Sequence, residues 1–129
     1  MVVLDTNIII SYALSPRGNP AHIMSLVSSG LIKICYSDTI LAEYTELLSR
    51  KKFGFSLEKQ KDALKAIKEM GTIIEPVPSD IPLPDESDRI FYDLAKETSS
   101  ILITGNKRHF PDEDFILTPA EFLELLKDD

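Results

Sequence analysis

Val2-Val3-Leu4-Asp5-Thr6-Asn7 is the stretch on which the reading of the whole chain turns. A short apolar run that stops at an acid, with Ile8, Ile9 and Ile10 beyond it, has the pattern of a buried strand whose carboxyl end delivers Asp5 to the surface. In open parallel α/β sheets the ligand crevice lies outside the carboxyl ends of the strands, so a strand-terminal carboxylate is a candidate site residue on topology. The other assignment open to Asp5 is that of a cap on the helix that follows.

Working outward, Asn7 to Leu14 reads as a short helix closed by the turn Ser15 to Asn19. Pro20 suits the first position of a second helix, with Asn19 as its cap and Gly30 as its stop. Leu31 to Tyr36 returns as a strand. Ser37 caps a third helix carrying Ile40, Leu41, Tyr44, Leu47 and Leu48 at helical spacing. Arg50, Lys51 and Lys52 close it, either as favourable charge at a helix end or as a rim for RNA phosphate. Ser56 starts a fourth helix that Gly71 stops, and Thr72 to Glu75 is a third strand.

Pro76, Pro78, Pro82 and Pro84 make a stiff, extended connection that ends in Asp85, Glu86, Ser87 and Asp88. A helix with Ile90, Phe91, Leu94 and Ala95 inward comes next, and then the strand Ile101 to Thr104. Gly105 to Pro111 form a turn, Phe115 to Leu117 a last strand, and Thr118, Pro119, Ala120 and Glu121 a capping box for the final helix. Strands separated by helices throughout mean a parallel sheet with helices on both faces.

The 129 residues, 43% of them hydrophobic, fit a single domain over 1–129 with one core. The lone Cys35 lies in an apolar run and reads as a small buried hydrophobe, which excludes an internal disulfide or a cysteine metal site. No long apolar segment and no basic-apolar leader pattern is present, so a cytoplasmic protein without a membrane span is expected. The net charge of -7 opposes broad attraction to nucleic acid, because phosphate binding calls for a basic surface.

Most acids lie on polar faces. Glu43, three residues after Ile40 and four before Leu47, falls on or beside the stripe that packs inward. Asp88, three before Phe91, points along the inner face from the first turn of its helix, whereas Asp93 is expected on the opposite, solvated side. Each has an ordinary assignment, an ion pair for Glu43 and charge at a helix start for Asp88. Together, Asp5, Glu43 and Asp88 would converge at one edge of the sheet. Carboxylates about 4 Å apart repel by roughly 4 kcal/mol at an effective dielectric near 20, a repulsion that a divalent cation turns into attraction. Oxygen donors without cysteine or a histidine pair point to magnesium or manganese rather than zinc, and His22 and His109 read as structural or surface residues.

Val3-Leu4-Asp5-Thr6-Asn7, Ser37-Asp38-Thr39-Ile40-Leu41-Ala42-Glu43-Tyr44, Asp85-Glu86-Ser87-Asp88 and Ile101-Leu102-Ile103-Thr104-Gly105-Asn106, followed by Lys107-Arg108-His109-Phe110-Pro111, together resemble the PIN-domain family. Within it the chain looks most like the VapC-type toxins of toxin-antitoxin systems. The resemblance implies a three-layer α/β/α fold with a parallel five-stranded sheet in the order 3-2-1-4-5. It also implies a metal-dependent ribonuclease using Mg2+, with Mn2+ able to substitute, an RNA substrate, a protein antitoxin as partner and a homodimer.

Carried over by position, Asp5, Glu43 and Asp88 match the family's catalytic, metal-holding acids, and Asn7 and Thr104 the polar residues that support them. Asn106 stands where many members have a fourth acid, which an amide replaces poorly; Asp85 or Asp112 could supply that charge. Lys107, Arg108 and Arg17 are candidate contacts to RNA. Two other enzyme or binding readings compete: a non-catalytic PIN fold that only binds, suggested by Asn106, and a magnesium-dependent phosphohydrolase of haloacid-dehalogenase type, which wants a second acid where Asn7 stands. A response-regulator receiver would need an acid after the third strand, but Pro76 follows Glu75.

Overall fold

In the computed structural model, which describes residues 1–127, the opening apolar run forms β1 (Val2–Leu4), buried along its whole length. It pairs in parallel with β4 (Ile101–Ile103) in the register Val2 to Ile101, Val3 to Leu102 and Leu4 to Ile103. Strand β5 (Ile116–Leu117) lies parallel on the far side of β4. A second parallel pair is made by β2 (Cys35–Tyr36) and β3 (Thr72–Ile73). The two ladders meet at one bridge, Val2 to Ile34, supported by the Val2 amide donating to the Lys33 carbonyl at 2.8 Å.

The expectation of one continuous five-stranded ladder is therefore corrected to a three-stranded sheet β1-β4-β5 and a two-stranded sheet β2-β3. The physical reason lies in Leu31 to Tyr36, expected to be strand throughout. After α2 (Asn19–Ser28), Gly30 adopts a φ of 81°, and the amides of Leu31 and Ile32 turn back to the Leu26 carbonyl at 3.0 and 3.2 Å. Those donors close the helix instead of a ladder, as in a helix C-terminal motif. Strand β3 is shortened in turn by Pro76, which cannot donate to a partner.

The remaining helices are α1 (Thr6–Leu14), α3 (Asp38–Leu48), α4 (Leu57–Met70), α5 (Arg89–Thr98) and α6 (Pro119–Lys127). Helix α5 packs on β1 and β4, while α1 packs against α2, α3 and α4. The caps follow the sequence: Ser37 Oγ accepts from the Ile40 amide and Ser56 Oγ from the Lys59 amide, both at 3.1 Å. Thr118 and Glu121 form the reciprocal box at 3.1 and 2.9 Å. Asn19 is helical rather than a cap, with Gly18 in the cap position and Pro20 in the first turn.

Asp93 departs most from expectation. It is 5% exposed rather than solvated, and its carboxylate accepts from the Ser79 amide at 3.0 Å and the Ser79 hydroxyl at 2.5 Å. Arg89, one turn earlier, donates to the carbonyls of Ser79 and Ile81, both at 2.7 Å, and to Glu86. Charge-assisted bonds of this kind are shorter and stronger than neutral ones. They supply the irregular proline-rich segment with backbone partners that no sheet or helix provides. Helical spacing could not reveal this, because the partner of Asp93 comes from a loop.

Gly71 is required by close approach. A Cβ there would stand 2.5 Å from the Ile67 carbonyl oxygen and 2.7 Å from the Tyr36 ring, which joins the end of α4 to β2. Gly71→Ala should destabilise the fold by about 1–3 kcal/mol through forced displacement of packed atoms. Urea unfolding checks this: the midpoint should fall with the slope unchanged.

Candidate metal centre

Asp5 follows β1 directly, and its amide donates to the Ile103 carbonyl at 3.0 Å, which extends the β1-β4 ladder by one step. The residue occupies the position before α1, yet its side chain makes no capping bond. Instead Oδ2 accepts from Thr104 Oγ1 at 2.7 Å, across the ends of the first and fourth strands. Asp5 is 7% exposed; burial raises its pKa, against the Thr104 hydrogen bond.

Thr104 in turn accepts from the Asn106 amide at 3.0 Å, and Asn7 Oδ1 accepts from the Gly105 amide at 3.2 Å. The two supporting residues thus fasten the loop after β4 to the start of α1.

Glu43 reaches the same end of the sheet from α3, where it accepts a hydrogen bond from Thr6 Oγ1. Its neighbour Tyr44 is fully buried, stacks at 6.4 Å on Phe91 and donates its hydroxyl to the Leu4 carbonyl. Helix α3 is therefore registered on the residue immediately before Asp5. Burial raises the Glu43 pKa, the Thr6 bond opposes it, and the charge of Asp5 adds to the rise.

Asp88 ends the 3-10 turn Glu86–Asp88 that leads into α5. Its Oδ2 is buried without a hydrogen-bond partner; the His109 ring Nδ1 stands 3.6 Å away. Burial, then the charges of Asp5 and Asp85, push the Asp88 carboxyl up to about 6, with Glu43 contributing and His109 opposing. Asp85 is exposed and held by Ser87, whose amide and hydroxyl donate to Oδ1 at 3.0 and 2.8 Å, which lowers its pKa.

Among the described residues, Asp85, Asp88 and His109 form a compact donor group, each offering an atom within 4.8 Å of the others. Asp5 and Glu43 lie outside that group, and they act on Asp88 through their charge. Asp112 is exposed on the following loop. Asn106 places Nδ2 at 3.1 Å from His109 Nε2.

Lys107 pairs with Glu121 of α6 at 3.1 Å, and Arg108 and Arg17 are exposed. Two residues escaped the sequence reading, Thr6 and His109. Their signals were the hydroxyl directly after Asp5 and the three-residue spacing from Asn106 to His109, which one turn of 3-10 helix brings to a common face.

The donor set fits a divalent cation. Carboxylates and one imidazole without a thiolate suit hard to borderline metals, and a buried, unpartnered carboxylate oxygen amid like charges is stabilised by a cation.

The PIN domain model matches residues 1–108. The uncharacterized protein MJ1680 of Methanocaldococcus jannaschii is 32% identical over 138 residues, covering 95% of this chain and 89% of that protein. No solved structure matches. Over most of its length, including the elements that carry Asp5, Glu43 and Asp88, the chain belongs to the PIN domain family.

Proposed function

We propose that the chain is a metal-dependent ribonuclease that hydrolyses RNA phosphodiester bonds, with Asp5, Glu43 and Asp88 holding Mg2+, for which Mn2+ substitutes. PIN domains are generally nucleases, which supports hydrolysis of nucleic acid. The observation that carries the reading here is the buried Asp88 Oδ2, without a hydrogen-bond donor and pressed by the charges of neighbouring acids. When bound, the cation supplies Lewis-acid stabilisation of the charge that develops on the phosphate oxygens and lowers the pKa of a water.

The side chains divide the remaining work. Thr104 fixes one oxygen of the Asp5 carboxylate across the ends of the first and fourth strands. Thr6 fixes one oxygen of Glu43, leaving the other to orient the attacking water. Asp88, ionised at neutral pH, completes the anionic wall. Arg108 and Arg17, exposed on loops, supply contacts for the RNA backbone, joined by Lys107 when it leaves Glu121.

We assign the chain to the toxin side of a toxin-antitoxin pair acting in the cytoplasm, as a homodimer bound by a protein antitoxin. No described helix is long and apolar enough to cross a membrane. The phosphohydrolase alternative loses its second acid to Asn7, whose side chain holds the Gly105 amide.

With Mg2+ or Mn2+, the purified chain should cleave single-stranded RNA, and a chelator should abolish cleavage. Asp5→Asn and Asp88→Asn should each lower the rate by at least about 100-fold, since even outer partners of metal ligands contribute 10- to 100-fold. Without metal, Asp88→Asn should melt higher than wild type at pH 7, because it removes an ionised carboxylate from a repelling group. Saturable cation binding with intact RNA would make the protein a non-catalytic binding module.

Stability should also depend on pH with a definite sign. Between 3.8 and about 6 the folded state keeps a proton on Asp88 that the unfolded chain releases. The Asp88 contribution to metal-free stability therefore falls as pH rises through that window. The gain in melting temperature on adding Mn2+ should be larger at pH 7 than at pH 5, since the cation competes with that proton. Thermal melts across pH 4–8, with and without Mn2+, read both effects.

A further inference from the structure

We infer that His109 is a cation ligand through Nδ1, joining Asp85 and Asp88 in a mixed oxygen-nitrogen site, and that Asn106 is the residue that orients its ring. The inference rests on the metal-dependent reading above and adds Asp85 and His109, which group with Asp88, to the acids named there, with a consequence for which metals are preferred. Asp88 Oδ2 is buried without a hydrogen-bond donor, and His109 Nδ1 stands 3.6 Å from it, too long for a hydrogen bond. Two ligands of a tetrahedral ion bound at about 2.1 Å stand about 3.4 Å apart, so that separation suits donors on either side of one ion. Both Ser87 bonds fall on Asp85 Oδ1, which leaves Oδ2 to face a cation.

The backbone fixes this arrangement. His109 closes the 3-10 turn Lys107–His109, and the next residue, Phe110, is buried in the core at 4% exposure. The ring is held at its far side by Asn106, 3.1 Å from Nε2. A histidine that binds metal through Nδ1 must carry its proton on Nε2 and donate it to a nearby acceptor. The oxygen and nitrogen of the Asn106 amide are interchangeable at this 3.1 Å contact, and with the oxygen toward Nε2 the side chain accepts that proton. Asparagine at 106 thus has a positioning role, holding the far side of the ring while Nδ1 faces Asp88.

An imidazole nitrogen favours Mn2+, Co2+ or Zn2+ over Mg2+ relative to an all-carboxylate site. The test is cation binding by the intact chain. Co2+ is titrated by its visible absorption, Mg2+ by thermal shift, and bound Mn2+ is examined by pulsed electron paramagnetic resonance for coupling to imidazole nitrogen. Wild type should bind Co2+ and show that coupling. His109→Ala and His109→Gln should each lose it and bind Co2+ about tenfold or more weakly, while Mg2+ affinity changes by less than about threefold. His109 is 49% exposed, so neither substitution opens the core.

Equal Co2+ affinity in wild type and His109→Ala, or bound Mn2+ in wild type without nitrogen coupling, overturns the inference. In that outcome Asp88-dependent binding and RNA cleavage still stand. Failure of wild type to bind any of the three cations overturns both this inference and the metal-dependent reading beneath it.

Discussion

Like charge gathered where parallel strands end is the constraint around which this molecule is built. Asp5, Glu43 and Asp85 each lie close enough to Asp88 for their charges to raise its pKa. Three of the four are held by a hydroxyl: Asp5 by Thr104, Glu43 by Thr6 and Asp85 by Ser87. Asp88 has none, and its buried oxygen faces an imidazole at 3.6 Å. Neutral donors fix direction without neutralising charge. Salt bridges to lysine or arginine would have produced a quiet surface and left no reason for a cation to bind.

Holding such a group together requires rigidity beneath it, and the packing supplies this at three points. The β1-β4 register sets Asp5 beside Thr104. Tyr44, buried between Leu4 and Phe91, locks α3 and hence Glu43 to the same strand end. Arg89 and Asp93 staple the proline-rich segment to the first turns of α5, which fixes the chain on both sides of Asp85 and Asp88. The pair at 89 and 93 thus acts on the site at one remove, by holding the segment that leads into the acidic turn.

What could be read from the sequence was what local chemistry dictates. The strand ending at Asp5, the caps at Ser37 and Ser56, the box at Thr118 and Glu121, and the inward bias of Glu43 each depend on a few neighbouring residues, and each is present. The failures came where a nearby helix end or a distant loop competes for the same group. Leu31 and Ile32 have strand composition, but their amides serve the end of α2. Asp93 has surface spacing, but a loop supplies its donors. His109 looked ordinary because its value lies in Asp88, twenty-one residues earlier in the chain and 3.6 Å away in space.

The net charge of -7 remains to be reconciled with an RNA substrate. The basic cluster that might have formed a phosphate rim is committed elsewhere: Arg50 pairs with Glu46 at 3.0 Å, and Lys52 lies over the Phe53 ring at 5.1 Å. Both sit beyond the C-terminal end of α3, while Glu43 lies in its first half. Lys107, two residues before His109, is drawn to α6 by Glu121. The protein therefore offers RNA little fixed positive charge near the acids. On the proposed reading, a bound cation would add to Arg108 and Arg17 by cancelling carboxylate repulsion and presenting positive charge to phosphate. Substrate binding and chemistry then depend on the same ion.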